Sequence, residues 1–123
     1  MTTQFPDDVI TLSFDIGGSG IKAALLDSVG TMVSQRVRLD TPYPCPPPRL
    51  VEAMHQVAAQ LPTYHRISAG FPGLVRDGVV RMVPSLTRSS LEGKTDAGLV
   101  LAWTNFDLRT ALSEAFGVPV KVA

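Results

Sequence analysis

Apolar residues along this chain come in short runs, cut by glycine, proline and acidic residues. "VITLSFDIG", with its run from Val9 to Asp15, is rich in β-branched and aromatic residues and closes on glycine, the pattern of a buried strand. "IKAALLD", Ile21 to Asp27, predicts a second strand, and "TMVSQRVRLDT", from Thr31 to Asp40, a third. The gaps between them are too short for helices, so an antiparallel meander is expected. "PYPCPPP", Pro42 to Pro48, holds too many prolines for an interior strand or helix. It predicts an extended connection whose last prolines open a helix, where a missing N–H costs nothing. In "RLVEAMHQVAAQL" the residues Leu50, Met54, Val57, Ala58 and Leu61 share one helical face, and Pro62 stops the helix.

"RISAGFPG" predicts a fourth strand running into the Gly70–Gly73 turn, and "LVRDGVVRMV" a small hairpin with Asp77-Gly78 at its tip. Pro84 to Gly98 is polar with weak periodicity and predicts a long loop. "TNFDLRTALSEAFG" predicts a second helix, capped by Thr104 or Asn105, with Leu108, Ala111, Leu112, Ala115 and Phe116 on its buried face. Gly117 suits the left-handed position after its end, and Pro119 blocks continuation. "VPVKVA" predicts a fifth strand. The order implies an α/β fold with one mixed five-stranded sheet: three antiparallel strands, then two parallel strands joined through right-handed helical crossovers.

Composition narrows the function classes. A chain of 123 residues suits one domain with its own hydrophobic core. Its 11 basic and 11 acidic residues balance to a formal charge of +0, with no basic cluster to follow a nucleic-acid backbone. Zero net charge offers little protection against self-association, which is expected here. Cys45 is the sole cysteine, which excludes an internal disulfide and a cysteine-based zinc site. "MTTQFPDDV" lacks the basic-then-apolar order of a signal peptide, and no apolar run approaches the ~18 residues of a membrane span. The expected location is the cytoplasm. His55 and His65 read as surface residues, Cys45 as an inert thiol and Trp103 as packing at a helix entrance. Arg76, Arg81, Arg88 and Lys94 read as a solvated face, with polyphosphate contact as the alternative.

The chemistry concentrates in "SFDIGGSGIK". Gly17, Gly18 and Gly20 lack Cβ, so their backbone can take positive φ and let a ligand approach closely. Successive N–H groups in such a turn can converge on an anion, with the Ser19 hydroxyl beside them. Asp15 is positioned to hold Mg²⁺ through waters, and Lys22 to add positive charge if strand alternation turns it to the loop. Neither the Walker loop nor the dinucleotide fingerprint fits, because both open a helix and these glycines open a strand. The residues alone leave two readings, a ligand-free hairpin turn and a phosphate cradle.

"FDIGGSGIKAALLD" resembles the first phosphate motif of the sugar kinase, Hsp70 and actin superfamily, and more closely that of the ROK family (repressors, open reading frames and kinases). "DIGGSGIK" is most similar to the form in polyphosphate glucokinases. "SAGFPGLVRDGVVR" resembles the family's glycine-proline turn and hairpin, and "WTNFDLRTALSEAFGVPVKVA" the helix and strand that lead to its Asn-Asp-Ala segment. The resemblance implies an RNase H-like, actin-like ATPase lobe that serves γ-phosphoryl transfer from ATP or polyphosphate to a sugar hydroxyl, with Mg²⁺. It assigns Asp15, Gly17, Gly18, Ser19, Gly20 and Lys22 to the phosphate and metal, and Gly70, Pro72, Gly73, Ser85 and Asn105 to the sugar. Ser85 stands about where glucose-phosphorylating members commonly carry asparagine. The family's catalytic aspartate would follow Ala123. The chain is therefore expected to be an N-terminal lobe, inactive alone and exposing its inter-lobe face. The alternative is a non-catalytic sugar-sensing or scaffolding module built on the same lobe.

Overall fold

The computed structural model describes residues 8–123; most of the N-terminal segment judged to lack a leader lies outside them. Strands β1 (Thr11–Ile16), β2 (Gly20–Leu26) and β3 (Val37–Asp40) are followed by helix α1 (Pro47–Ala58) and strand β4 (Arg66–Gly70). A hairpin of β5 (Leu74–Arg76) and β6 (Val79–Met82) comes next, then helices α2 (Ala97–Trp103) and α3 (Leu108–Phe116), and strand β7 (Val120–Val122). The main sheet has five strands in the order β3-β2-β1-β4-β7. β1 runs antiparallel to β2 and parallel to β4, and β4 runs parallel to β7. This is the mixed sheet that the sequence predicts.

Alternation decides which face is covered. Leu12, Phe14 and Ile16 of β1 and Ile21, Ala23 and Leu25 of β2 are buried in one core with Leu50, Met54 and Val57 of α1 and Leu108 and Leu112 of α3. Burying each of the larger aliphatic or aromatic side chains is worth ~1.5–3 kcal/mol. α1 and α3 pack against each other, α1 also on β2 and α3 also on β7. Asp15 and Lys22 are exposed and half-buried Ser13 lines the same open pocket, on the sheet's opposite face. Among the described residues, no helix is long and apolar enough to cross a membrane.

Several boundaries differ from expectation for identifiable reasons. The third strand covers only Val37–Asp40, not Thr31 to Asp40. Gly30 takes a positive φ of 87°, and the Asp27 carboxylate accepts from the amides of Val29 and Thr31. The Ser34 hydroxyl then takes the Leu25 N–H at 2.8 Å, replacing a ladder carbonyl. Side-chain competition of this kind ends strand pairing. α1 begins two residues earlier than "RLVEAMHQVAAQL" implies and ends at Ala58, with Pro47 in its first turn. The loop expected over Pro84 to Gly98 holds a 3-10 turn, Ser85–Thr87, and the start of α2. That helix went unpredicted: its seven residues are capped by Asp96, which accepts from Leu99 N–H at 2.9 Å. The cap of α3 is Asp107, not Thr104 or Asn105, and accepts from the backbone and side chain of Thr110. Those bonds hold the Asp107 carboxyl below its ordinary range. Ala115, expected on the buried face of α3, is exposed, and Trp103 closes α2 instead of opening a helix. Asp77-Gly78 and Gly117 adopt positive φ as their sequence contexts predict.

Candidate functional site

The parallel strands β1, β4 and β7 bring their carboxyl ends together, the edge where open α/β sheets bind ligands. Asp15 lies opposite Gly70 in the β1–β4 register, and Phe71 N–H donates to the Ala123 carbonyl at 2.9 Å. The glycine loop, the Gly70–Gly73 turn and the end of β7 therefore share one rim.

The loop is a tight hairpin closed by Gly17 N–H donating to the Gly20 carbonyl at 2.9 Å. Gly17, Gly18 and Gly20 do not use positive φ, contrary to expectation. Gly18 and Gly20 are where the loop approaches its neighbours most closely. A Cβ on Gly18 would lie 3.0 Å from Ser85 Cβ, and one on Gly20 would lie 2.6 Å from the Arg38 guanidinium.

The segment from Arg38 to Tyr43 straps the loop. Thr41 Oγ1 donates to the Gly17 carbonyl at 2.7 Å, and Tyr43 O–H to the Gly18 carbonyl at 2.6 Å. The Ser19 carbonyl accepts from Thr41 N–H at 3.2 Å and from Arg38 Nη2 at 3.1 Å. Arg38 also pairs with Asp40, an exposed pair of little stabilising value. Every loop carbonyl is thus engaged. The N–H groups of Gly18 and Ser19 have no protein partner among the described residues. Sequence reasoning missed Arg38, Thr41 and Tyr43. Their one signal was two hydroxyl side chains at the mouth of a proline run that cannot form its own ladder.

Asp15 and Lys22 face each other across β1 and β2, so Lys22 shares the exposed face with Asp15. They line an open pocket of about 200 Å³ with Ser13, Ala24, Leu26 and Arg36. An exposed carboxylate two residues before the loop suits outer-sphere Mg²⁺ on a phosphate, since that ion keeps most of its waters. No cluster of three or more His, Cys, Asp or Glu side chains exists among the described residues.

The residues assigned to the sugar are less united. Ser85 reaches the loop at Gly18, and its Oγ is buried without a hydrogen-bond partner. Gly73 sits against the end of β6, where a Cβ would meet the Met82 carbonyl. Pro72 is half-buried in the same turn. Asn105, at φ 61°, is held at the hairpin instead: its N–H donates to the Val80 carbonyl, and Arg81 Nη1 donates to its Oδ1 at 2.7 Å.

The lone thiol stands apart from this chemistry. Cys45 is fully buried, and burial pushes its pKa up to about 11. Native protein at pH 8 is expected to resist iodoacetamide for hours and to react within minutes in denaturant, because the thiolate is the nucleophile. Equal alkylation rates in the two states would contradict this. An unfolded thiol ionises near pH 8.5 and the folded one near 11, so stability is expected to decline as pH rises between those values. His55 is exposed and stacks on Phe116 with ring centroids 4.1 Å apart, while His65 Nδ1 accepts from Ile10 N–H.

The family model of the ROK family matches residues 11–123. The chain belongs to the ROK family. Polyphosphate glucokinase of Mycobacterium tuberculosis is 32% identical over 76 residues, covering 61% of this chain and 29% of that protein. The Mycobacterium leprae polyphosphate glucokinase is 29% identical over 102 residues, covering 82% and 31%. Among solved structures, a ROK family glucokinase from Streptomyces griseus, in complex with glucose and AMPPNP, superposes with a TM-score of 0.70 at 23% identity, covering 92% of this chain and 32% of that one. ROK hexokinase from Thermus thermophilus gives 0.70 at 24% identity, covering 94% and 35%. The ROK chain therefore spans about a third of the length of these relatives. Its mixed sheet is that of the ROK kinases, of the actin-like ATPase fold.

Proposed function

We propose that this chain is the N-terminal phosphate- and sugar-binding lobe of a ROK sugar kinase of glucokinase type, with polyphosphate or ATP as donor. One observation carries the reading. The Gly17–Gly20 loop, which follows β1 and its exposed Asp15, has all its carbonyls tied back and two amides free. Phosphoryl transfer asks mainly for positioning and charge neutralisation, and free loop amides supply both to a phosphate chain. Mg²⁺, held through water by Asp15, would neutralise charge on the transferred group. Lys22 adds a cation on the same face. The Gly70–Gly73 turn and Ser85 set the sugar beside the loop. The proton acceptor, in this reading, belongs to a segment after Ala123 that starts from the shared rim.

Titrating the chain with sodium tripolyphosphate is expected to move the backbone amide signals of Gly18 and Ser19 in a ¹⁵N spectrum. The same chain, given glucose with ATP or polyphosphate, is expected to form no sugar phosphate. Turnover above the enzyme-free rate would overturn the dependence on a further segment, and unmoved amides at millimolar ligand would overturn the phosphate loop. The second reading, a non-catalytic sugar-sensing module, is favoured by one likeness: a ROK family transcriptional regulator, homologous to the E. coli MLC protein, superposes with a TM-score of 0.66. Sugar-induced shifts at Gly73 and Ser85 without any response to tripolyphosphate would select it.

A further inference from the structure

We infer that Thr41 and Tyr43 are positioning residues that lock two loop peptides in the orientation that presents N–H groups to an anion. The inference rests on the phosphate-loop reading above and adds the device that sets its polarity. In a planar trans peptide, the C=O of one residue and the N–H of the next point in opposite directions. Holding the Gly17 carbonyl therefore aims the Gly18 N–H, and holding the Gly18 carbonyl aims the Ser19 N–H. Thr41 Oγ1 does the first at 2.7 Å and Tyr43 O–H the second at 2.6 Å.

These are the two amides without protein partners among the described residues. The match is one to one: each side-chain donor fixes one peptide plane, and each plane frees one N–H on its far side. Such a lock matters most where glycine is present. With no Cβ to bias them, glycine peptides flip readily, and a flipped peptide would turn its carbonyl dipole toward the incoming charge. Thr41 is buried, and burial is the main cause that pushes the Tyr43 phenol above its ordinary range, so it remains a donor at neutral pH. Tyr43 also sits between Pro42 and Pro44, whose fixed φ angles limit the freedom of the backbone that carries it.

The experiment titrates wild type, Tyr43→Phe and Thr41→Val with sodium tripolyphosphate and follows amide shifts residue by residue. Tyr43→Phe is expected to weaken affinity about three- to tenfold, the effect of one hydrogen bond, and to diminish the shift at Ser19 more than at Gly18. Thr41→Val is expected to reverse that pattern, diminishing the shift at Gly18. The paired specificity separates positioning from general loosening, which would move both amides alike together with signals across the sheet. Either variant serves if the other loses its dispersed spectrum. Wild-type binding with undiminished affinity in both variants, or an equal loss at both amides, would overturn the lock and leave the phosphate loop standing. No wild-type response would overturn the loop reading and the lock with it.

Discussion

Gly73→Ala is expected to lower the thermal midpoint by roughly 10 °C or more, for a loss of about 3 kcal/mol. The added Cβ would stand 2.2 Å from the Met82 carbonyl oxygen and 3.0 Å from Val83 Cα. Both obstacles are backbone, so neither can swing aside as a side chain would. Relief requires the end of β6 to part from the Gly70–Gly73 turn, and Val83, buried in the core, would move with it. Gly20→Ala is the informative contrast. Its Cβ would meet the Arg38 guanidinium, the tip of a long, exposed side chain that can withdraw at small cost. Melts followed by circular dichroism should therefore rank Gly20→Ala close to wild type and Gly73→Ala far below. Equal midpoints would refute the steric account. The contrast bears on function as well. The family resemblance gives Gly73 to the sugar, but backbone crowding alone demands glycine there, with or without a ligand. A loss of activity in Gly73→Ala thus reports the turn's shape before it reports sugar contact. That shape reaches the loop, because the chain passes from Val83 to Ser85, whose Cβ would crowd a side chain on Gly18.

The sheet was legible because its code is local. Alternation placed Leu12, Phe14 and Ile16 in the core, and Gly117 and Asp77-Gly78 announced their turns through backbone preferences that act over a few residues. The errors fall where a side chain outbids the backbone. Ser34 took a ladder donor and shortened the third strand; Asp96 capped a helix where a polar stretch had suggested loop, and Asp107 took the cap expected of Thr104 or Asn105. α2 was hidden because only Leu99 and Trp103 are buried in it, while Val100 and Leu101 lie exposed, which blurs the apolar face. At the site, the glycines and Asp15 were visible as a motif, since close approach needs a missing Cβ. The strap was not. Arg38, Thr41 and Tyr43 act on residues about twenty positions earlier, and only the β2–β3 pairing brings them there. Periodicity carries no information about such a partner. Asn105, a motif neighbour, has a left-handed backbone and accepts from Arg81 at the hairpin, a structural setting that periodicity does not announce either.

Trp103→Ala is expected to cost about 3–5 kcal/mol, a large share of the 5–15 kcal/mol that usually holds a domain. Trp103 is 1% exposed and packs on Phe71 and Phe106, with ring centroids 5.5 and 5.8 Å away. Its Nε1–H donates to the Cys45 carbonyl at 2.9 Å, across 58 positions of sequence. Trp103→Phe separates the two contributions. Most of the apolar packing survives, but the buried Cys45 carbonyl loses its donor, for about 1–3 kcal/mol. Urea melts should order the three proteins as wild type, Trp103→Phe, Trp103→Ala. The phenylalanine variant also tests how the strap is anchored. Cys45 lies two residues beyond Tyr43, so the indole N–H pins the proline run from which Tyr43 reaches the Gly18 carbonyl. Releasing that pin should open the segment locally while the sheet stays intact. Cys45 is the natural reporter, since its burial is what suppresses its reaction with iodoacetamide. Alkylation in Trp103→Phe is expected to run at least several-fold faster than in wild type under native conditions, by more than the global stability loss accounts for. If the rate merely tracks global unfolding, the indole is a core residue alone, and the glycine loop owes its shape to the Thr41 and Tyr43 bonds without it.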